Sequence, residues 1–217
     1  MAETDVTGGL ALEAGNFSDW LAGMKRALGD QSGSDVPCGG CTACCTSSQF
    51  VHIGPDETET LARIPVRLRF PAPRLPKGHV LLGYDERGHC PMMVDGACSI
   101  YEHRPRTCRT YDCRVFPAAG IEVDEPGKAD VAERVTRWRF DFPDDDDHVV
   151  QDAVQAAARF VADHPELLPA GADPASQTQR AVLAVELVDA FLTRDDDTGR
   201  RQVAEPDHDD IRAILAR

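Results

Sequence analysis

Lysine is scarce in this sequence. Only Lys25, Lys77 and Lys128 occur, so arginine carries nearly all of the positive charge. Acidic residues outnumber basic ones by 37 to 23, for a formal net charge of −14. A duplex binder works by neutralising phosphates, so this balance argues against nucleic-acid binding. It equally disfavours an anionic membrane surface. No apolar run reaches the length of about 18 residues that a spanning helix needs. No basic stretch followed by an apolar one opens the chain, so no secretory leader is expected. The P-loop, the Rossmann glycine fingerprint, HExxH and GxSxG are missing too, and no cofactor chemistry is visible apart from metal. The chain therefore reads as cytoplasmic, where thiols stay reduced and a disulfide framework is not expected.

Cysteine is the opposite case. There are eight, Cys38, Cys41, Cys44, Cys45, Cys90, Cys98, Cys108 and Cys113, and none lies outside 38–113. In a reducing compartment such segregation points to metal or redox chemistry. Three regions follow. Residues 1–37 hold an amphipathic helix over Phe17–Leu28, with Trp20, Leu21, Met24 and Leu28 on one face and Ser18 or Asp19 as its cap; "GDQSGSDVP" ends it. Residues 38–118 form the cysteine module. In it "PDETETLARI" reads as a short helix. "HVLLGYDERGHCPMMVDGACSIY" reads as a hairpin turning at Asp85–Gly88, followed by Asp95–Gly96. Residues 119–217 read as helical, in "DDDDHVVQDAVQAAARFVADH", "DPASQTQRAVLAVELVDAFL" and "PDHDDIRAILAR", with "DDDTGRRQVAEPDHDD" as a charged linker. Asp144–Asp147 suit the positive end of the helix they precede. Trp20, Trp138, Phe140 and Phe142 are expected in the core. The fold class is α+β, mainly α: an irregular Cys-rich metal module with a β-hairpin, packed against a helical remainder.

The chemistry sits in "CGGCTACC", residues 38–45. Cys-x-x-Cys turns a loop back so that both sulfurs face one point. Gly39 and Gly40 give the first turn steric freedom. Cys44 and Cys45 are adjacent, and neighbouring side chains are expected to diverge. They are therefore read either as the junction of two neighbouring sites, since eight thiolates complete two four-coordinate sites, or as one ligand and one supporting thiol. "CSIYEHRPRTCRTYDC" supplies Cys98, Cys108 and Cys113 together with Arg104, Arg106 and Arg109, and Arg114 follows. Against Glu102 and Asp112 these arginines leave a local excess of positive charge. Guanidinium groups there can offset thiolate charge or form ordinary surface pairs. His52, His79, His89 and His103 are the lesser ligand candidates.

"CGGCTACC", the Cys90–Pro91 step and "CSIYEHRPRTCRTYDC" together resemble the YkgJ-type cysteine-cluster family, a zinc- or iron-chelating domain. The resemblance spans about 38–116 and all eight cysteines match. It implies metal binding by those eight residues and no settled reaction. Some relatives are fused to, or resemble, flagellin lysine N-methylase. That keeps a second reading alongside metal binding: a metal-dependent enzyme or accessory in electron transfer or protein modification. A closed four-thiolate site has no open position for substrate, which favours a binding role. For the metal, CxxCxxC with a distant Cys-Pro echoes ferredoxin ligation of an iron–sulfur cluster. A plain four-thiolate zinc site needs no assembly machinery and stays open as the alternative. The expected partner is a metal ion; a protein partner cannot be read from these residues.

Overall fold

The computed structural model describes residues 10–30, 33–34, 36–73, 75–168, 173 and 175–216. Residues 1–9, the first part of the stretch read for a leader, and part of the "GDQSGSDVP" loop lie outside the described residues. In chain order the elements are β1 (Leu12–Asn16), α1 (Phe17–Asp30), β2 (Val51–Ile53), α2 (Thr58–Arg63), β3 (Arg69–Pro71), β4 (Val80–Leu82), β5 (Met93–Val94) and β6 (Ala97–Cys98). They continue with α3 (Arg106–Thr110), α4 (Val115–Ala118), α5 (Ala129–Val135), β7 (Trp138–Asp141), α6 (Asp145–Asp163), α7 (Gln177–Leu187), β8 (Leu192–Arg194), β9 (Arg201–Val203) and α8 (His208–Leu215). The class is α+β, mainly helical, with small sheets and a Cys-rich region. Two units divide the chain. One comprises 1–25, 113–123 and 135–217; the other comprises 26–112 and 124–134.

The first unit is built on helices whose apolar spacing dictates their buried faces. In α1, Phe17, Trp20, Leu21 and Met24 recur at helical spacing and are buried. Its cap is Asn16, whose Oδ1 accepts the Asp19 N–H at 2.9 Å, rather than Ser18 or Asp19. β1 and β7 pair in parallel, Leu12 opposite Trp138, and a bulge falls between Glu13 and Gly15. Phe17 packs edge-on against Phe140 at 5.1 Å and stacks with Phe142 at 5.5 Å. Trp20 and Trp138 are buried.

The aspartate run ahead of α6 is a helix start. Asp144 and Asp147 form a reciprocal capping box. Val150, Val154, Ala157, Ala158 and Val161 then line the buried stripe of α6, as their spacing predicts. α6 packs along α7, which buries Ala181, Ala184 and Val185. One expectation fails here. The "DDDTGRRQVAEPDHDD" segment is not simply a linker, because Arg201–Val203 is strand β9, paired with β8. Asp195 makes the turn: its carboxylate accepts from the Thr198 N–H and hydroxyl, each at 2.7 Å.

The second unit holds a three-stranded antiparallel sheet in the order β2-β4-β3. Ile53, Ile64, Leu82, Met92 and Ile100 form its core, with Cys90 and Cys98 packed against it. This corrects the hairpin reading. The turn at Asp85–Gly88 exists, with the Gly88 N–H on the Asp85 carbonyl at 2.9 Å. Yet β4 pairs with β2 and β3, not with the run that follows the turn. The actual hairpin is β5–β6, closed at Asp95–Gly96, where both residues take positive φ.

Candidate metal centre

Seven cysteines, Cys38, Cys41, Cys44, Cys45, Cys90, Cys98 and Cys108, belong to the second unit. Each reaches its place through local backbone chemistry. Gly39 takes φ +55°, which lets the chain turn and bring the Cys41 N–H onto the Cys38 carbonyl at 3.0 Å. A 3-10 turn over Ala43–Thr46 then carries Cys44 and Cys45. The Cys45 N–H closes it on the Thr42 carbonyl at 2.8 Å.

A backbone seam joins this loop to the Cys90 segment. The Cys90 N–H donates to the Cys45 carbonyl at 2.7 Å, and the Ser48 N–H donates to the Gly88 carbonyl at 2.9 Å. Gly88 has φ +81°, where a side chain is strained, and a Cβ there would lie 2.3 Å from Ser48 Oγ and force that hydroxyl to turn away. Pro91 then starts a turn closed by the Met93 N–H on the Cys90 carbonyl at 2.9 Å, with the Met92 amide beside the Cys90 sulfur. Cys98 ends β6.

Cys108 rides on α3. Pro105 sits at the N-cap of α3, where its missing N–H costs nothing, and the Cys108 N–H bonds the Pro105 carbonyl at 2.9 Å. The start of α3 is tied to the sheet by buried Glu57. Its carboxylate accepts the Gly54 N–H at 2.8 Å and the Arg106 N–H at 2.6 Å. Thr107 Oγ1 adds a bond to the His52 carbonyl at 2.8 Å.

The sulfurs are electrostatic neighbours. Desolvation pushes the Cys108 thiol up to about 12 although the residue as a whole is exposed, and Cys44, Cys90 and Cys98 push the same way, while Arg104 opposes them. Burial also raises Cys90, with Cys98 and Cys44 adding to it and the Met92 and Met93 amides pulling down. Cys38 is raised by burial, then by Cys44 and Cys41, against the pull of Arg134. Cys44 is thus an electrostatic neighbour of thiols in all three segments. Its own proton is held first by a hydrogen bond to the Cys45 sulfur and then by burial, although the residue is exposed by surface area. The adjacent pair, carried on the 3-10 turn, thus interacts through its own side chains as well as with the other segments.

Among the described residues, no three His, Cys, Asp or Glu side chains are gathered tightly enough to hold one ion. The thiols form a neighbourhood, not a closed cage. Their chemistry nonetheless fits a thiophilic metal: the sulfurs come from three segments, and backbone amides are aimed at Cys90 and Cys44 to receive anionic sulfur.

Of the four arginines singled out by sequence, Arg104 is the one beside a thiol, and it stacks on Tyr101 at 4.1 Å. Arg106 pairs with Asp56, Arg109 donates to the Arg104 carbonyl at 2.7 Å, and Arg114 donates to the Ala14 carbonyl at 3.0 Å. The cation that sequence reading missed is Arg134, which donates to the Pro37 and Cys38 carbonyls at 3.4 and 3.5 Å. It lies far along the chain, and no local signal marks it. Among the histidines, His52 and His79 face each other, Nε2 to Nδ1, at 2.9 Å, and His103 stands 3.4 Å from Glu59. His89 Nδ1 is buried without a partner among the described residues. The eighth cysteine, Cys113, belongs to the first unit, where the Trp138 Nε1–H donates to its sulfur at 3.2 Å.

Residues 37–132 match the CxxCxxCC family, described as "Putative zinc- or iron-chelating domain". This is the cysteine-cluster family that the motifs resemble. No curated protein and no solved structure matches the chain.

Proposed function

With residues 37–132 matching a zinc- or iron-chelating domain, we propose that the thiolates of Cys38, Cys41, Cys44, Cys45, Cys90, Cys98 and Cys108 chelate zinc or iron in one connected basin centred on Cys44. What supports this reading, beside the family match, is that Cys44 is an electrostatic neighbour of Cys38, Cys90 and Cys108, thiols of three separate segments. Cys113 enters the proposal from its place in the sequence motif alone. The CxxCxxC spacing with a remote Cys-Pro favours an iron–sulfur cluster as occupant. The chain's own contribution is to gather the sulfurs, aim amides at them, and set Arg104 and Arg134 where their charge offsets thiolate charge. The role is binding, storage or structural support by the metal.

Anaerobic purification of the full chain with metal analysis and an absorption spectrum tests the reading. Stoichiometric iron with a broad visible charge-transfer band supports the cluster. Colourless protein with stoichiometric zinc keeps chelation and overturns the cluster. Protein that binds neither metal overturns both.

A further inference from the structure

The first unit carries a cleft of 480 Å³ between the start of α1, α6 and the β8–β9 hairpin. Its apolar lining includes Leu21, Val150 and Leu192, and its charged lining is Lys25, Arg194, Arg201 and Asp189. Three cations against one carboxylate is the reverse of the balance of this chain.

The hairpin register sharpens the point. Arg194 and Arg201 stand directly opposite each other. Directly opposed residues project to the same face of a two-stranded sheet, and like charges there are destabilising. A local conflict of this kind is expected where function outweighs stability. Neither guanidinium is used up. Arg194 donates one N–H to the Gly199 carbonyl at 2.9 Å, and Arg201 stands 4.0 Å from Asp146. Each guanidinium has five N–H donors, so most remain for a ligand. Lys25 pairs with Asp189 at the same cleft.

We propose that this cleft binds a small organic anion, its carboxylate or phosphate held between Arg194 and Arg201 and its short apolar body lying on Leu21 and Val150. Paired guanidiniums suit such oxyanions because they bind them bidentately. The volume lies within the range of about 300–1,000 Å³ typical of small-molecule sites.

Titration of the isotope-labelled full chain with hexyl phosphate, hexanoate, inorganic phosphate and hexanol, followed by amide chemical shifts, tests this. The two amphiphilic anions are expected to shift 192–194 and 201–203 saturably, and to bind about tenfold or more tighter than hexanol. The tighter of the two identifies the head group. Arg194→Gln with Arg201→Gln should weaken binding by a similar factor while the helical circular dichroism stays unchanged, with Arg194→Gln alone intermediate. Hexanol binding as well as the anions, wild-type affinity in the double variant, or no saturable shift at the hairpin would each overturn the site.

Discussion

The Cys90 N–H donates to the Cys45 carbonyl at 2.7 Å, so the four-cysteine loop and the Cys-Pro step are stitched together by backbone before any side chain is considered. The second stitch, Ser48 to Gly88, depends on a glycine at φ +81°, where a Cβ would be strained and would crowd Ser48 Oγ. Gly88→Ala is therefore expected to destabilise the second unit by about 1–3 kcal/mol and to lower its metal content. Urea unfolding and metal analysis of the variant check this.

Glu57 is the buried carboxylate that holds α3, and with it Cys108, to the sheet. Glu57→Ala leaves the Gly54 and Arg106 amides without their acceptor and should cost about 2–4 kcal/mol. Glu57→Gln keeps one oxygen and should fall in between. Denaturant titration of the two variants separates these outcomes.

Burial and the facing His79 hold the His52 imidazole below its ordinary pKa, while Glu57 and Asp56 pull the other way and Arg106 adds to the lowering. The unfolded chain takes up a proton near pH 6.5, and the folded chain resists it until lower pH. Stability contributed by the neutral form is thus complete above about pH 6.5 and declines as pH falls through the window below it. His52→Gln should flatten that decline, as read from urea midpoints at several pH values between neutrality and mild acid.

Metal removal should act unevenly. Apparent binding energies of structural zinc run to about 10–16 kcal/mol, comparable with the whole stability of a domain, about 5–15 kcal/mol. Chelation is expected to strip hydrogen-exchange protection from the Cys45 and Cys90 amides while the amides of α6 and α7 keep theirs. Unchanged protection around the cysteines after chelation would mean that the fold of the second unit does not depend on metal.

What could be read in advance follows the physics of each feature. α1 and α6 announce themselves because a helix writes its buried face at a fixed local period, as Val150, Val154, Ala157 and Val161 show. β4 does not, because its partners β2 and β3 are chosen by tertiary packing, not by the turn beside it. The β8–β9 hairpin hid inside a charge run, where Asp195 was one acidic residue among several and not visibly the turn former. The cysteines were legible from spacing alone. Their mutual arrangement was not: Cys44 and Cys45 are set by a 3-10 turn, and Arg134 meets the Cys38 carbonyl only through the fold.

The sharpest check on the thiolate basin is the metal content per chain of anaerobically prepared Cys44→Ser against wild type, with Cys45→Ser beside it. Cys44 is an electrostatic neighbour of thiols in every contributing segment, so its loss should empty most of the bound zinc or iron, and Cys45→Ser should lose less. Wild-type loading in Cys44→Ser would contradict a basin centred on that sulfur.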